Sequence, residues 1–249
     1  MPANTPLPTP YALPFRSSSP GAVHRSLMPP PQYTAGFVDT AAAIRPCRLI
    51  GGDFYDFLEN GSEFHVLFGD ACGKGTPAAL TAALAQGILA GAVKAKAGPA
   101  TVVSHVNRAL CRRSVSQRFL TLFYGVMTRD HRLTYCNAGH CRPMLVDGSA
   151  VRRLSAGGAP PGLLGDAVYE EESLSIAKGD TLVVFSDGVS EAESSDQEFG
   201  DARILETVTK RPAVSASAIR DRLVNVVTDF TRGSRQRDDM AVLVVRYLG

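Results

Sequence analysis

Four places in this 249-residue chain set aspartate at the end of an apolar run. Asp53 follows a Gly-Gly pair in LIGGDFYD, and Asp70 closes EFHVLFGD. Asp187 tips TLVVFSDG, and Asp238 with Asp239 opens DDMAVLVV. Any one of them reads as an ordinary turn, because Asp and Gly are common turn residues. Four together are harder to dismiss, since an unpaired carboxylate beside a buried strand costs on the order of several kcal/mol. A bound cation offsets that cost. If the strand tips converge, the cluster offers oxygen ligands only, which suits hard divalent ions such as Mg²⁺ or Mn²⁺. Two such ions sharing a carboxylate can hold and activate a water aimed at phosphorus, with no protein nucleophile.

Two other chemistries compete for the same residues. FGDACGKGT followed by an Ala-rich run has the layout of a nucleotide phosphate loop, but the leading glycine of that motif falls on Phe68. Asp70 would also stand inside the cradle and repel the phosphate it should bind. The second rival is YCNAGHCR, in which Cys136, Gly139 and Arg142 have the spacing of a cysteine-dependent phosphatase. Such a loop should lead from a strand into a helix whose N-terminus lowers the thiol pKa. Here Pro143 and the apolar MLV predict a hairpin into another strand.

The elements that must position these residues follow from the pattern. Residues 1–33 are rich in Pro and Ser and predict a disordered tail, with a short helix around Ala22–Leu27. Strands are predicted at 34–44, 53–59 and 63–70, the last two joined by the Asn60-Gly61 turn. Helices follow over Pro77–Ala95 and Pro99–Ser116. A second strand block covers 119–128, 132–139, 142–147, 169–176 and 180–187. Helices at Asp201–Thr209 and Ser215–Arg232 precede a last strand from Met240. Blocks of strands separated by helical pairs predict an α+β fold of layers. The net charge of +2, without basic runs, gives no reason to expect nucleic acid or a membrane as partner. Five cysteines, none in a C-x-x-C pair, fit a reducing cytoplasm. The Ala-rich stretch from Pro77 to Val93 reads as a core helix, and the N-terminal residues carry no export pattern.

In order, GGDFYDF, FGDACGKGTPAAL, FLTLFYGVM, YCNAGHCRPML, GGAPPGLL, GDTLVVFSDGVSEA, EFG and DDMAVLVVR resemble the metal-dependent PPM serine/threonine protein phosphatases. The branch they are most similar to is the bacterial SpoIIE-like one, which regulates sigma factors through partner switching. The resemblance implies an α-β-β-α sandwich of two antiparallel sheets flanked by helical pairs, spanning residues 34–249. It implies two Mn²⁺ or Mg²⁺ ions, with Asp70 as the shared bridging carboxylate and Ala71 offering its backbone carbonyl. Asp187 and Asp238 would complete the set, with Asp239 as the alternative to Asp238. Asp53 would bind metal directly or hold its water, and Asp56 would stand behind it. Arg45, Arg48 and Lys74 are candidates for the substrate phosphate, and His140 for a proton donor. The implied substrate is a phosphorylated anti-sigma-factor antagonist. The helical pair after the Gly-Lys-Gly turn would be a regulatory element, answering to a separate regulatory protein. A non-catalytic pseudophosphatase that merely holds a partner is the alternative reading, and missing acids would be its mark.

Overall fold

The computed structural model describes residues 19–93, 97–112, 119–148, 150–195, 197–210 and 215–249. The predicted tail before residue 19 and the predicted helix ends at Ala95 and Ser116 lie outside them. The last strand explains the architecture. In β14 (Met240–Tyr247), Ala241, Leu243, Val245 and Tyr247 face one core, while Met240, Val242 and Val244 face another. Successive side chains of a strand alternate sides, so a strand apolar on both must be covered on both.

Two sheets answer that demand. The first runs β1 (Gln32–Ala35), β2 (Val38–Arg45), β14, β11 (Thr181–Phe185), β7 (Met144–Asp147) and β8 (Ala150–Arg153). The second runs β10 (Glu172–Ser175), β6 (Arg132–Ala138), β5 (Leu120–Thr128), β4 (Glu63–Ala71) and β3 (Asp53–Asn60). These pairings are antiparallel. The short β9 (Gly157–Gly158) joins β6 in parallel. A small hairpin, β12 (Glu193–Ser194) with β13 (Gln197–Glu198), stands apart. The inner faces meet through Phe64, Phe68, Phe123 and Tyr135 against Leu182, Val184, Leu243 and Val245.

Helices cover the outer faces. α2 (Thr76–Val93) and α3 (Pro99–Arg112) seat Ala82, Ala85, Leu89 and Val106 on Phe54, Leu67, Leu122 and Tyr124 of the second sheet. α5 (Gly200–Thr209) and α6 (Ala216–Phe230) seat Ile204, Ile219, Leu223 and Val227 on the first sheet. The short α4 (Asp187–Ser190) follows β11 directly. The layers are therefore α-β-β-α, as the resemblance implied. α2 is long and apolar enough to cross a membrane by length and composition. Its small residues instead let it lie close on the second sheet, with Ala78, Ala82 and Ala85 buried.

The structure departs from the sequence reading in places. The single strand predicted over 34–44 is a hairpin, β1 and β2, turning at Gly36-Phe37. The strand β8 was not predicted; only four residues long, it alternates exposed and half-buried positions. Helix α1 (Pro20–Ser26) is capped by the Ser19 hydroxyl, 3.3 Å from the Ala22 amide, and buries His24. The Gln86 side chain of α2 donates to the Leu27 carbonyl just beyond it, at 3.3 Å.

Leu243 sits fully buried where the two sheets meet, whereas Val226 on α6 is exposed. We expect Leu243→Ala to cost about 3 kcal/mol in urea unfolding and Val226→Ala less than about 0.5 kcal/mol. Equal costs would contradict the layering.

Candidate metal centre

Sheet register gathers the acids. β3 and β4 pair so that Asp53 lies opposite Asp70. In the other sheet, β11 and β14 are neighbours, with Phe185 opposite Val242. Asp187 follows β11, and Asp238 and Asp239 precede β14. Each sheet thus delivers acids to the same end of the sandwich.

Glycine permits the close approach. A Cβ on Gly188 would stand 1.9 Å from the Asp239 carbonyl oxygen, and one on Gly52 would stand 2.5 Å from the Ala71 carbonyl oxygen. A side chain at Gly188 would push the end of β11 away from β14 within the first sheet, and one at Gly52 would push β3 away from β4 within the second. Ser186 ties β11 to β14 further. Its hydroxyl accepts from the Ala241 amide at 2.9 Å and donates to the Asp239 carbonyl at 3.3 Å.

The electrostatics are strained. Asp53 is 1% exposed, and its Oδ2 has no hydrogen-bond partner. Burial lifts its pKa well above the usual carboxylate range, with Asp70, Asp239 and Asp187 adding to the rise and the Ser186 hydroxyl opposing it. Asp70 is pushed up to about 7, first by burial and then by Asp187, Asp238 and Asp239, while a hydrogen bond with Asp53 pulls it down. Asp187 is raised by burial and by Asp238. The acids therefore behave as a group holding a surplus of negative charge in a poorly solvated place. The orphaned Asp53 oxygen and the all-oxygen donor set fit a hard divalent cation. A second constellation, Cys47 Sγ with carboxylate oxygens of Asp238 and Asp239, also lies within 4.8 Å of one another.

Asp238 and Asp239 have different surroundings. Asp238 is half-exposed, and its Oδ2 meets Lys74 Nζ at 2.8 Å. Asp239 is 3% exposed, and its two oxygens accept from the Cys47 amide at 2.7 Å and the Gly52 amide at 2.8 Å. It pins the 47–52 loop in place. Lys74 is turned onto Asp238 and the Arg237 carbonyl, so its ammonium is engaged by protein groups rather than held out for a phosphate.

The other candidates are scattered. Arg48 is exposed, and its side chain passes Gly75 at 4.0 Å from where a Cβ would stand. Arg45 is exposed at the end of β2. Asp56 is not near Asp53. It shares a strand face with Phe54, which packs on the α2 and α3 layer, and burial there lifts its pKa to about 6. Burial holds His140 down at about 4, so it is neutral near pH 7 and carries no proton to donate as imidazolium. It is part of its own turn: Asn137 Oδ1 accepts its amide at 3.1 Å, Asn137 Nδ2 donates to its carbonyl, and Thr121 Oγ1 meets its Nδ1 at 2.8 Å. The cysteine rival fails on two counts. Cys136 is fully buried with its pKa pushed up to about 12, and the loop after it leads into strand β7 rather than a helix. Ser186 and Cys47 were not singled out from sequence. A hydroxyl beside a strand-end acid hints at the first, whereas Cys47 meets Asp239 across 192 residues of chain.

The family model for Stage II sporulation protein E (SpoIIE) matches residues 60–248. Phosphoserine phosphatase RsbU of Bacillus subtilis (strain 168) is 28% identical over 216 residues, covering 84% of this chain and 63% of the relative. Protein IcfG of Synechocystis sp. is 28% identical over 235 residues, covering 82% of this chain and 37% of the relative. The chain thus spans less than two thirds of the length of either. Among solved structures, the SiaA-PP2C domain of Pseudomonas aeruginosa superposes with a TM-score of 0.81 at 21% identity, over 91% of this chain and 93% of that one.

Crowding sets the pH dependence of the metal-free protein. The folded carboxyls hold protons more tightly than the unfolded chain, Asp70 at about 7 against an ordinary 3.8. The folded state therefore carries more bound protons across that window, and stability falls as pH rises through it. Chelator-treated protein should melt higher at about pH 5.5 than at about pH 8, and Mn²⁺ should raise the melting temperature most at pH 8 and so shrink the difference. A melting temperature that climbs with pH in chelator would contradict the crowding.

Proposed function

The chain belongs to the SpoIIE family, whose model it matches over residues 60–248, and from that membership we propose a metal-dependent protein phosphatase acting on phosphoserine and phosphothreonine. The observation that carries the proposal is the convergence of Asp53, Asp70, Asp187 and Asp238 at one end of the sandwich, with one buried carboxylate oxygen unpartnered. Two Mn²⁺ or Mg²⁺ ions at this centre would supply an activated water for attack on phosphorus and positive charge facing the phosphoryl oxygens.

The residues divide the work. Asp70 lies closest to the common ground, feeling Asp187, Asp238 and Asp239 while sharing a hydrogen bond with Asp53, and we assign it the bridging role. Asp187 and Asp238 would complete the carboxylate set, and Ala71, next to Asp70 at the end of β4, would offer its backbone carbonyl. Asp53 would bind through its unpartnered Oδ2. Asp239 is a positioning residue, since both its oxygens already hold backbone amides. Lys74 tempers Asp238 and keeps the turn folded over the centre. Arg48, exposed beside that turn, is the candidate for the substrate phosphoryl group. The same reading makes the substrate a phosphorylated anti-sigma-factor antagonist in a partner-switching pathway of the cytoplasm, with a separate regulatory protein setting activity. The relative whose printed name is a phosphoserine phosphatase supports the substrate class. A pseudophosphatase would have lost acids that this chain keeps.

Hydrolysis of p-nitrophenyl phosphate should require Mn²⁺ or Mg²⁺. Asp187→Asn should lower kcat on the order of 100-fold or more, at or above the upper end of what losing a ligand's supporting partner costs. Cys136→Ser should change it little. Activity that survives EDTA and vanishes in Cys136→Ser would overturn the assignment.

A further inference from the structure

The centre draws its acids from two sheets whose inner faces meet through apolar side chains. Apolar contact is non-directional, so it holds the sheets together without fixing the distance between two strand ends. That distance bears most on Asp70 and Asp187. Asp70 lies near the end of β4 in one sheet, and Asp187 lies just past β11 in the other. Asp187 also weighs first among the charges that raise the Asp70 pKa, so these two press apart across the sandwich.

One buried ring stands between the strands that carry them. Thr121 lies opposite Asp70 in the β4–β5 pairing, and opposed residues of a strand pair share a face. His140, 6% exposed, sets its Nδ1 2.8 Å from Thr121 Oγ1. Its ring packs on Phe68, two residues before Asp70, with centroids 5.1 Å apart. From the other sheet the backbone of Phe185, two residues before Asp187, reaches the same ring and works against burial to favour its N–H form. With Nδ1 taken by Thr121, the nitrogen left to face Phe185 is Nε2, which has no other partner. The ring cannot swing away easily. Asn137 holds the His140 amide and carbonyl at 3.1 Å each, and donates to the Leu154 carbonyl at 3.1 Å.

We propose that His140 is a positioning residue for the metal centre, a strut between Thr121 on β5 and Phe185 on β11 that sets the separation of Asp70 and Asp187. The inference rests on the phosphatase reading and gives His140 a task other than proton donation. A neutral imidazole has one acceptor and one donor, and the strut uses both. Nδ1 accepts from the Thr121 hydroxyl, and the Nε2 N–H points to the Phe185 backbone; each contact fixes the tautomer that the other needs. Because burial keeps the ring neutral near pH 7, the strut is in place wherever the acids are ionised enough to take up a cation. Phenylalanine at 140 would keep a ring against Phe68 and lose both contacts. Valine at 121 would lose only the hydroxyl.

The test is Mn²⁺ titration calorimetry on the chelator-stripped full chain, beside turnover of p-nitrophenyl phosphate. His140→Phe and Thr121→Val should each weaken Mn²⁺ binding by about tenfold or more, the range seen when a ligand's supporting partner is lost. Thr121→Ser, which keeps the hydroxyl, should stay within about twofold of the unaltered chain. Saturating Mn²⁺ should return most of the turnover that the weakened variants lose at limiting Mn²⁺. Should His140→Phe fail to fold, the two Thr121 variants decide the matter by themselves. A proton donor would behave in the opposite way, with Mn²⁺ affinity unchanged and kcat low even at saturation, and that result overturns the inference. So does a lower melting temperature in chelator with Mn²⁺ affinity of the folded variants unchanged, the mark of a residue that only supports the fold. An unaltered chain that neither binds Mn²⁺ nor hydrolyses p-nitrophenyl phosphate overturns the phosphatase reading as well.

Discussion

Carboxylates that repel one another in a poorly hydrated place are the constraint on which this molecule turns. Asp53 and Asp70 face each other across a strand pair, and Asp187 and Asp238 come from the opposing sheet. Left alone, such a group keeps a proton, as the raised pKa values of Asp53 and Asp70 say. A divalent cation can take the proton's place and do more, because its charge satisfies several carboxylates at once. The repulsion between the acids is thus inseparable from affinity for a metal.

Only a stiff frame can hold like charges together. The strands that carry them are interior, with β4 between β3 and β5 and β14 between β2 and β11. Both are packed on two faces, so neither can tilt to relieve the acids without opening a core. The loop from Cys47 to Gly52 has no such packing, and Asp239 supplies the substitute by binding two of its amides. α2 begins five residues after Ala71 and rests on β3 and β4. A shift of that helix would reach β3 and β4, the strands that carry Asp53 and Asp70.

Much of this was legible in the chain because the strands announce themselves twice. They are apolar without alternation, which marks them as covered on both faces, and they stop abruptly at an acid. The Asn60-Gly61 turn fixed the β3–β4 pairing, and with it the register that sets Asp53 against Asp70. What escaped had short-range or very long-range causes. The turn at Gly36-Phe37 is hidden inside an apolar run, so two strands looked like one. Cys47 meets Asp239 only after the whole sandwich has closed. Asp56 is a different kind of miss: it lies three positions from Asp53, and an odd offset on a strand reverses the face.

The same parity supports our choice of Asp238 over Asp239, which the sequence left open. Adjacent residues at the start of a strand point in opposite directions. One of the two must turn inward, where a carboxylate survives only if backbone donors receive it, and Asp239 has two of them. The other stays half-exposed, its Oδ2 meeting Lys74 at 2.8 Å and its Oδ1 accepting the Asp239 amide at 2.8 Å. On the proposed reading, a pair of identical residues divides two tasks that a single residue could not combine. The inward acid commits its oxygens to the loop that carries Gly52 and Asp53, and the outward acid, half-exposed, is the one we propose for a ligand that arrives from solvent. Exchanging either for asparagine should then fail in different ways, because an amide at 239 still accepts one backbone donor but brings its own N–H groups against the other. Asp239→Asn should lower thermal stability in chelator as much as in Mn²⁺, by about 1–3 kcal/mol. Asp238→Asn should leave the chelated protein as stable or more so and weaken its stabilisation by Mn²⁺. Identical responses in the two variants would mean that the two acids share one role.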